Sequence, residues 1–275
     1  MKNISAEELH SHLLRMMKQF HSFCEDNNIT YYIVGGTALG AQRHQGFIPW
    51  DDDVDISMPR TDYEKLISLM EKLPNNLELL FYRTRQHTPF HYIKLVDNTT
   101  TLVEKYYPDS VEGLYIDIYP LDGAFRETKG DVARRRKAYR LFKKIVFHYA
   151  KLEKPSTIER FYSYYCRLVN VDKLHNKLHT LMTEVTIEDG DSMTNLLSAY
   201  SEREVVDKKV YGTPVLYNFE DTQFYGPADM DAYLRKIYGD YMKLPSPEQQ
   251  VFKHGYLYLN LNEPYSKFGG LDNVN

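Results

Sequence analysis

Between Val34 and Ile56 the chain reads VGGTALGAQRHQGFIPWDDDVDI, and four of the five residues 51–55 are aspartates: Asp51, Asp52, Asp53 and Asp55. Two unit charges about 6 Å apart repel by roughly 3 kcal/mol at an effective dielectric near 20. Such a run is tolerated only when it is fully solvated or neutralised by a cation. In a strand, residues i and i+2 share a face. Asp53 and Asp55 then point one way while Val54 and Ile56 enter the core, and Asp51 joins the acidic face if the strand extends that far. Carboxylates so spaced suit one or two Mg²⁺ or Mn²⁺ ions, which take a few carboxylates together with substrate phosphate oxygens. A third carboxylate on a neighbouring strand completes such a set. Asp117 in YIDIYP is the candidate, with Ile116 and Ile118 facing the other way. A solvated acidic loop is the competing reading of DDD taken alone.

The glycines before this run supply a second element. The stretch TYYIV, residues 30–34, is β-branched and aromatic and is cut by Gly35 and Gly36, so it reads as a strand entering a tight turn. A short helix is expected from Thr37 to His44. Glycines between a strand and a helix start let backbone amides approach a phosphate, and the helix N-terminus adds positive potential. Thr37 is placed to cap that helix or to bond a phosphate oxygen. The plain alternative is a tight turn with a helix cap. The spacing is neither Walker A nor G-x-G-x-x-G, which excludes P-loop and Rossmann assignments.

Elsewhere α and β patterns interleave. Leu9, Leu13, Met16, Met17, Phe20 and Cys24 fall at helical spacing. A strand is expected at Asp53–Ser57, a capping box of Thr61 with Glu64 opens DYEKLISLMEKL, and strands follow near Leu77, Phe90 and Gly113–Asp122. From Gly130 the pattern turns to long helices through about Glu184, then to mixed Tyr-rich segments, so the best boundary lies near Gly123–Gly130. This divides the chain into a core at 1–125 and a helical, Tyr-rich part at 126–275 that completes the cleft or forms one integrated domain with it. With 275 residues, 43% hydrophobic content and a net charge of -4, a sizeable core is expected and no global attraction to nucleic acid. Cys24 and Cys166 form no CxxC pair, which fits a reducing compartment. The N-terminus lacks the order of a secretory signal, and no apolar run approaches the roughly 18 residues that span a bilayer. The expected location is the cytoplasm or the inner face of its membrane.

GGTALGAQRHQGFIPWDDDVDISMPRTDYEKL, HYIKLVDNTTT, GLYIDIYPLDG and YGDYMKLPSPEQQVFKHG together resemble the LicD family, which includes fukutin-type transferases and belongs to the nucleotidyltransferase-fold superfamily. The resemblance runs in blocks from about Tyr31 to His254. It implies a mixed, twisted sheet flanked by helices, with Asp53 and Asp55 as paired metal carboxylates and Asp117 as the third acid. The gap from Gly36 to Asp53 exceeds the superfamily's commonest spacing, and the family fills it with the Arg43–Trp50 segment. The activity implied is transfer of a phosphate-linked group from a nucleotide donor to a sugar hydroxyl. Bacterial members of this size are similar to phosphocholine transferases that use CDP-choline and decorate teichoic acid or lipopolysaccharide. Arg43 and Lys94 are candidate phosphate partners, and His44, His91 and His254 candidate proton carriers, His254 alone of these lying in a family-like block.

Two weaker features remain. ARRRKAYRLFKKIVFHYAKL carries Arg136, Arg140 and Lys144 at i, i+4 and i+8, which reads as a solvated helix face or as a surface docking on anionic membrane or a lipid-linked acceptor. The 24 tyrosines and 13 phenylalanines include candidates to wall a quaternary ammonium by cation–π contact. Two other readings stay open: transfer of ribitol phosphate, glycerol phosphate or a nucleotidyl group on the same fold, and a non-catalytic glycan-binding protein.

Overall fold

The computed structural model describes residues 4–86, 88–252 and 255–270. Helix α1 (Ala6–Asp26) opens with a capping box in which Ser5 and Glu8 bond each other's backbone amides, and its apolar stripe from Leu9 to Cys24 is buried. Strand β1 (Tyr32–Ile33) leads into α2 (Gly35–His44), and β2 (Asp55–Pro59) into α3 (Arg60–Ser68). Then come β3 (Leu77–Leu80), β4 (Ile93–Asp97), β5 (Thr101–Glu104), β6 (Val111–Glu112) and β7 (Tyr115–Ala124). The second half holds α4 (Lys129–Tyr149), α5 (Thr157–Arg167), α6 (Val171–Met182), β8 (Ser192–Thr194), β9 (Val206–Asp207) and α7 (Lys208–Tyr211). A hairpin of β10 (Val215–Phe219) and β11 (Thr222–Gly226), helix α8 (Met230–Tyr238) and β12 (Tyr256–Asn260) finish it.

The main sheet runs β1-β2-β7-β4-β3, with β8 on the far end of β7 and β9 beside β8. Strands β2 and β7 are parallel, as two strands far apart in sequence and joined by a long crossover can be. Their Ile56, Ile116 and Ile118 face the core with α1, which fixes the opposite face of the same strands for polar residues. The architecture is the mixed sheet flanked by helices that the sequence resemblance implies.

The second half of the chain returns to the first. Strand β8 pairs residues 122–124 of β7, and β12 pairs β5. A single apolar core runs from Leu9 to Tyr241, while α4 and α6 share a smaller one around Ala138, Ile145 and Leu178. Buried Arg134 joins the two. It pairs with Asp131 at 2.7 Å and donates to the carbonyls of Leu181 (2.9 Å) at the end of α6 and Gly123 (2.7 Å) in β7.

Three local expectations need correction. Strand β2 begins at Asp55, so Asp51 and Asp53 sit on the loop before it. Helix α2 begins at Gly35, two residues before Thr37. The Thr61–Glu64 capping box does not form, because α3 starts at Arg60 behind Pro59 and Glu64 is held by Arg83 at 2.6 Å. Arg60 meanwhile forks onto Asp122, with both bonds at 2.7 Å.

Candidate functional site

The parallel register of β2 and β7 sets Asp55 directly beside Asp117. Opposed residues on paired strands project to one face, so the two carboxylates meet on the side away from the isoleucines. Backbone bonds from Val34 N to Asp55 O (3.1 Å) and from Asp117 N to Val54 O (3.0 Å) lock the strands at this point. Thr37, in the first turn of α2, accepts the Asp55 amide on its hydroxyl at 2.9 Å. That bond fixes the strand against the helix, and Thr37 is not the helix cap expected of it, since the N-cap position is Val34.

The two glycines are explained by these carboxylates. Gly35 has φ +56°, and a Cβ on it would lie 2.7 Å from Oδ2 of Asp55; a Cβ on Gly36 would lie 2.4 Å from Oδ2 of Asp51. Both side chains therefore reach the N-terminal turn of α2, where backbone amides favour negative charge. The Gly35 amide itself donates to the Tyr233 hydroxyl at 3.1 Å.

The acidic loop is held from both sides. Phe47 stacks on His10 with centroids 4.3 Å apart, and its amide donates to Glu220 at 2.9 Å. His10 donates to the Asp51 carbonyl at 2.7 Å, and the Tyr256 hydroxyl of β12 to the Asp52 carbonyl at 3.2 Å. So held, Asp51, Asp52 and Asp53 bring carboxylate oxygens within 4.8 Å of one another, the one such group of three among the described residues. Burial, and after it Asp53, Asp117, Asp51 and Glu204, push the Asp55 carboxyl well above the usual carboxylate range. A site that raises its own acids in this way favours a proton or a hard cation. The all-oxygen donor set and the glycine space for it fit Mg²⁺ or Mn²⁺.

Asp51, Asp53 and Asp55 line a cleft of about 390 Å³, while Asp117, 9% exposed, is not part of its lining. One wall is the start of α2 with Asp51, Asp53 and Asp55; another is the segment from Asn195 to Glu204. Tyr92, Tyr119, Phe142, Tyr200 and Tyr238 supply aromatic surface. Tyr92 and Tyr119 lie 4.6 Å apart between centroids, and Tyr200 meets Tyr238 edge to face at 5.7 Å. The Tyr119 hydroxyl donates to Asp117 at 3.2 Å. Glu204 is buried beside them, accepts from Ser198 at 3.0 Å, and is pushed by burial up to about 7.

Lys94 is a correction. It stands opposite Asp117 in register, yet it is 1% exposed and absent from the cleft wall. Its ammonium is held by Glu104 and by Glu112 (2.7 Å) and lies 3.4 Å from the Tyr115 ring centroid. Neighbouring carboxylates, Glu104 first, outweigh burial and keep it charged. It is a buried counter-charge to its own sheet, not a phosphate partner. Arg43 lies seven residues along α2 from Gly36, roughly 10 Å at 1.5 Å per residue, and donates to the Tyr241 carbonyl at 2.8 Å. It ties α2 to the turn after α8 and is also absent from the cleft wall. His44 sits edge-on to Trp50 at 5.9 Å. His91 is buried, 2.9 Å from His175 between ring nitrogens, and stacked on Tyr82. His254 lies outside the described residues.

A model of the LicD/FKTN/FKRP nucleotidyltransferase domain matches residues 28–159. These residues are a LicD-family domain. They span α2, the acidic loop, β2 and β7, and end in α5. The chain is 28% identical over 263 residues to the lipopolysaccharide cholinephosphotransferase LicD of Haemophilus influenzae, covering 92% of this chain and 97% of that one. It is 42% identical over 82 residues to the uncharacterized protein RP689 of Rickettsia prowazekii, which is 30% of this chain and 29% of that one. Over 50 residues it is 52% identical to the uncharacterized RT0683 of Rickettsia typhi, 18% and 16% of the two chains. Much of the cleft wall lies beyond the LicD domain, since Asn195, Ser198, Tyr200, Glu204 and Tyr238 follow residue 159. Sequence reasoning missed these. Tyr119 had a readable signal, being two residues after Asp117 on one strand face, whereas nothing local marks Glu204.

Proposed function

We propose that this protein transfers phosphocholine from CDP-choline to a sugar hydroxyl of a cell-surface glycan such as lipopolysaccharide or teichoic acid. The observation that carries the reading is the composition of one cleft, with paired carboxylates on its floor and five aromatic rings in its walls. The likeness along nearly the whole length of a cholinephosphotransferase supports it. A divalent cation held by Asp53, Asp55 and Asp117, with Asp51 beside them, would neutralise charge on the donor's phosphate oxygens.

The hydroxyl oxygen attacks the phosphorus that bears choline, the bond from that phosphorus to the bridging oxygen breaks, and CMP departs with the electron pair. Asp117 positions the hydroxyl, and Glu204 takes its proton, an acid near neutrality being suited to that task. The aromatic rings face the trimethylammonium group. A desolvated cation–π contact is worth up to about 2 kcal/mol, and aromatic walls offer a polyol few hydrogen-bond partners.

With CDP-choline, CDP-ribitol and CDP-glycerol competing in one tube, we expect phosphocholine to lead by at least about tenfold in kcat/KM, or roughly 1.4 kcal/mol, and turnover to stop on chelation. Ribitol phosphate or glycerol phosphate appearing first on the acceptor overturns the donor. Undiminished turnover in chelator overturns the cation.

A further inference from the structure

Helix α5 is built inside out. Its buried residues are small, Ser163 and Cys166, while Ile158, Phe161, Tyr164, Tyr165 and Leu168 are 51–81% exposed. At 100° per residue these five fall within an arc of about 120°, a continuous apolar face turned away from the protein. The small inner residues let the backbone of α5 lie close on α4. The Ser163 hydroxyl donates to the Phe147 carbonyl at 3.2 Å, and the His148 ring to the Cys166 carbonyl at 2.9 Å. A capping box of Ser156 and Glu159 fixes the start of the helix.

The neighbourhood is basic. Residues 129–168 hold 12 Lys or Arg against 3 Asp or Glu, in a chain whose net charge is -4. On α4, exposed Arg136, Arg140 and Lys143 form one stripe that continues into Phe147, and Phe147 meets Tyr162 of α5 at 5.1 Å. Lys144, expected in this stripe, is half-buried with its ammonium 5.5 Å from the Tyr165 ring centroid. Arg160 and Arg167 are exposed on the other flank of the apolar face. An apolar face bordered by tyrosines and cations matches the layering of an anionic bilayer surface, where aliphatic groups enter the acyl boundary, tyrosines sit at headgroup level and cations meet phosphates.

We propose that the outer face of α5, flanked by the basic stripe of α4, docks this protein on an anionic membrane surface. A second copy of the chain is a poor occupant, because pairing this face with itself sets its basic borders against each other. No helix among the described residues is long and apolar enough to cross a membrane, so the attachment is peripheral. It presents the enzyme to lipid-linked acceptors whichever donor the cleft selects.

The test is flotation of the full chain with vesicles of equal parts phosphatidylglycerol and phosphatidylcholine, against phosphatidylcholine alone. The wild-type protein should float with the anionic vesicles and release at high salt. Phe161→Asp with Leu168→Asp should lower the bound fraction at least about tenfold, and Arg136→Glu with Arg140→Glu and Lys143→Glu should do the same. All these positions are exposed, so circular dichroism should stay native. The proposal is overturned if the wild type fails to float, or if both variants float as it does. It is also overturned if light scattering shows a dimer that the Phe161→Asp, Leu168→Asp change dissociates.

Discussion

Glu204 carries opposed demands for stability and catalysis in one side chain. Its acid is raised from 4.5 to about 7 by burial, so the folded state holds the proton more tightly than the unfolded chain does. Its contribution to stability is therefore complete below pH 4.5 and is lost as pH rises through about 7. Proton abstraction needs the ionised form and so gains over the same interval. Around it lie Asp55 and the phenols Tyr211, Tyr233 and Tyr238, which bring no positive charge, and the Ser198 hydroxyl, whose bond at 3.0 Å opposes the rise without cancelling it. Glu204→Gln should flatten the fall in cation-free stability between about pH 4.5 and 7, and should cut kcat at least about a hundredfold with the KM for donor little changed. An unaltered pH–rate profile in this variant would remove Glu204 from the reaction. Lys94 shows the opposite use of burial, since two carboxylates hold its charge within the sheet and nothing of it reaches the cleft.

At the scale of elements, the turn between β1 and α2 is shaped by side chains fifteen and twenty residues away in sequence, Asp51 against Gly36 and Asp55 against Gly35. Gly36 is required because Asp51 occupies the place of its Cβ. The clashing atom is the end of a flexible side chain, so Gly36→Ala should cost the fold little, below about 1 kcal/mol, while displacing Asp51. We expect activity to drop at least about tenfold, and Mg²⁺ to stabilise the variant less in thermal shift. Equal losses of stability and activity would mean that the glycine serves only the turn. The motif was visible in the sequence as two glycines before a helix, but its reason was not. The expectation weighed a phosphate against a plain turn, and the structure adds two of the protein's own carboxylates.

Across the whole molecule, β2, β7, the acidic loop and the segment from Asn195 to Glu204 converge on one cleft, so charge assembled there is felt by the stability of the entire fold. Asp55 is raised by burial and by Asp53, Asp117, Asp51 and Glu204 acting together. Replacing it with Asn removes a repulsion that no backbone bond depends on. Asp55→Asn should raise the cation-free Tm by roughly 2–4 °C, equivalent to about 1 kcal/mol in a chain of this size. The same change should abolish stabilisation by Mg²⁺ and nearly all turnover. A variant that melts lower without cation would mean that Asp55 is held by favourable contacts and that the site was not built for a cation.

What the sequence determined by itself was local and periodic. The D-x-D alternation, the glycine break after a β-branched run and the Asp117 strand are patterns of period two and short turns, which follow from backbone geometry alone. They were enough to single out Asp55 and Asp117 and to show α and β elements interleaved, whereas Asp53 lies on the loop before β2 and the mixed sheet was implied by the family resemblance. The tertiary structure decided what depends on register and distance. Asp55 stands beside Asp117 because β2 and β7 pair in parallel across an intervening stretch of about sixty residues, and Lys94 is spent on Glu104 and Glu112 because β5 and β6 fold back over β4. The cleft's second wall and the outward face of α5 had no local signature. An exposed leucine and a buried one look alike in sequence when both recur at helical spacing, and only the packing of α5 on α4 through Ser163 and Cys166 shows which side was left to solvent.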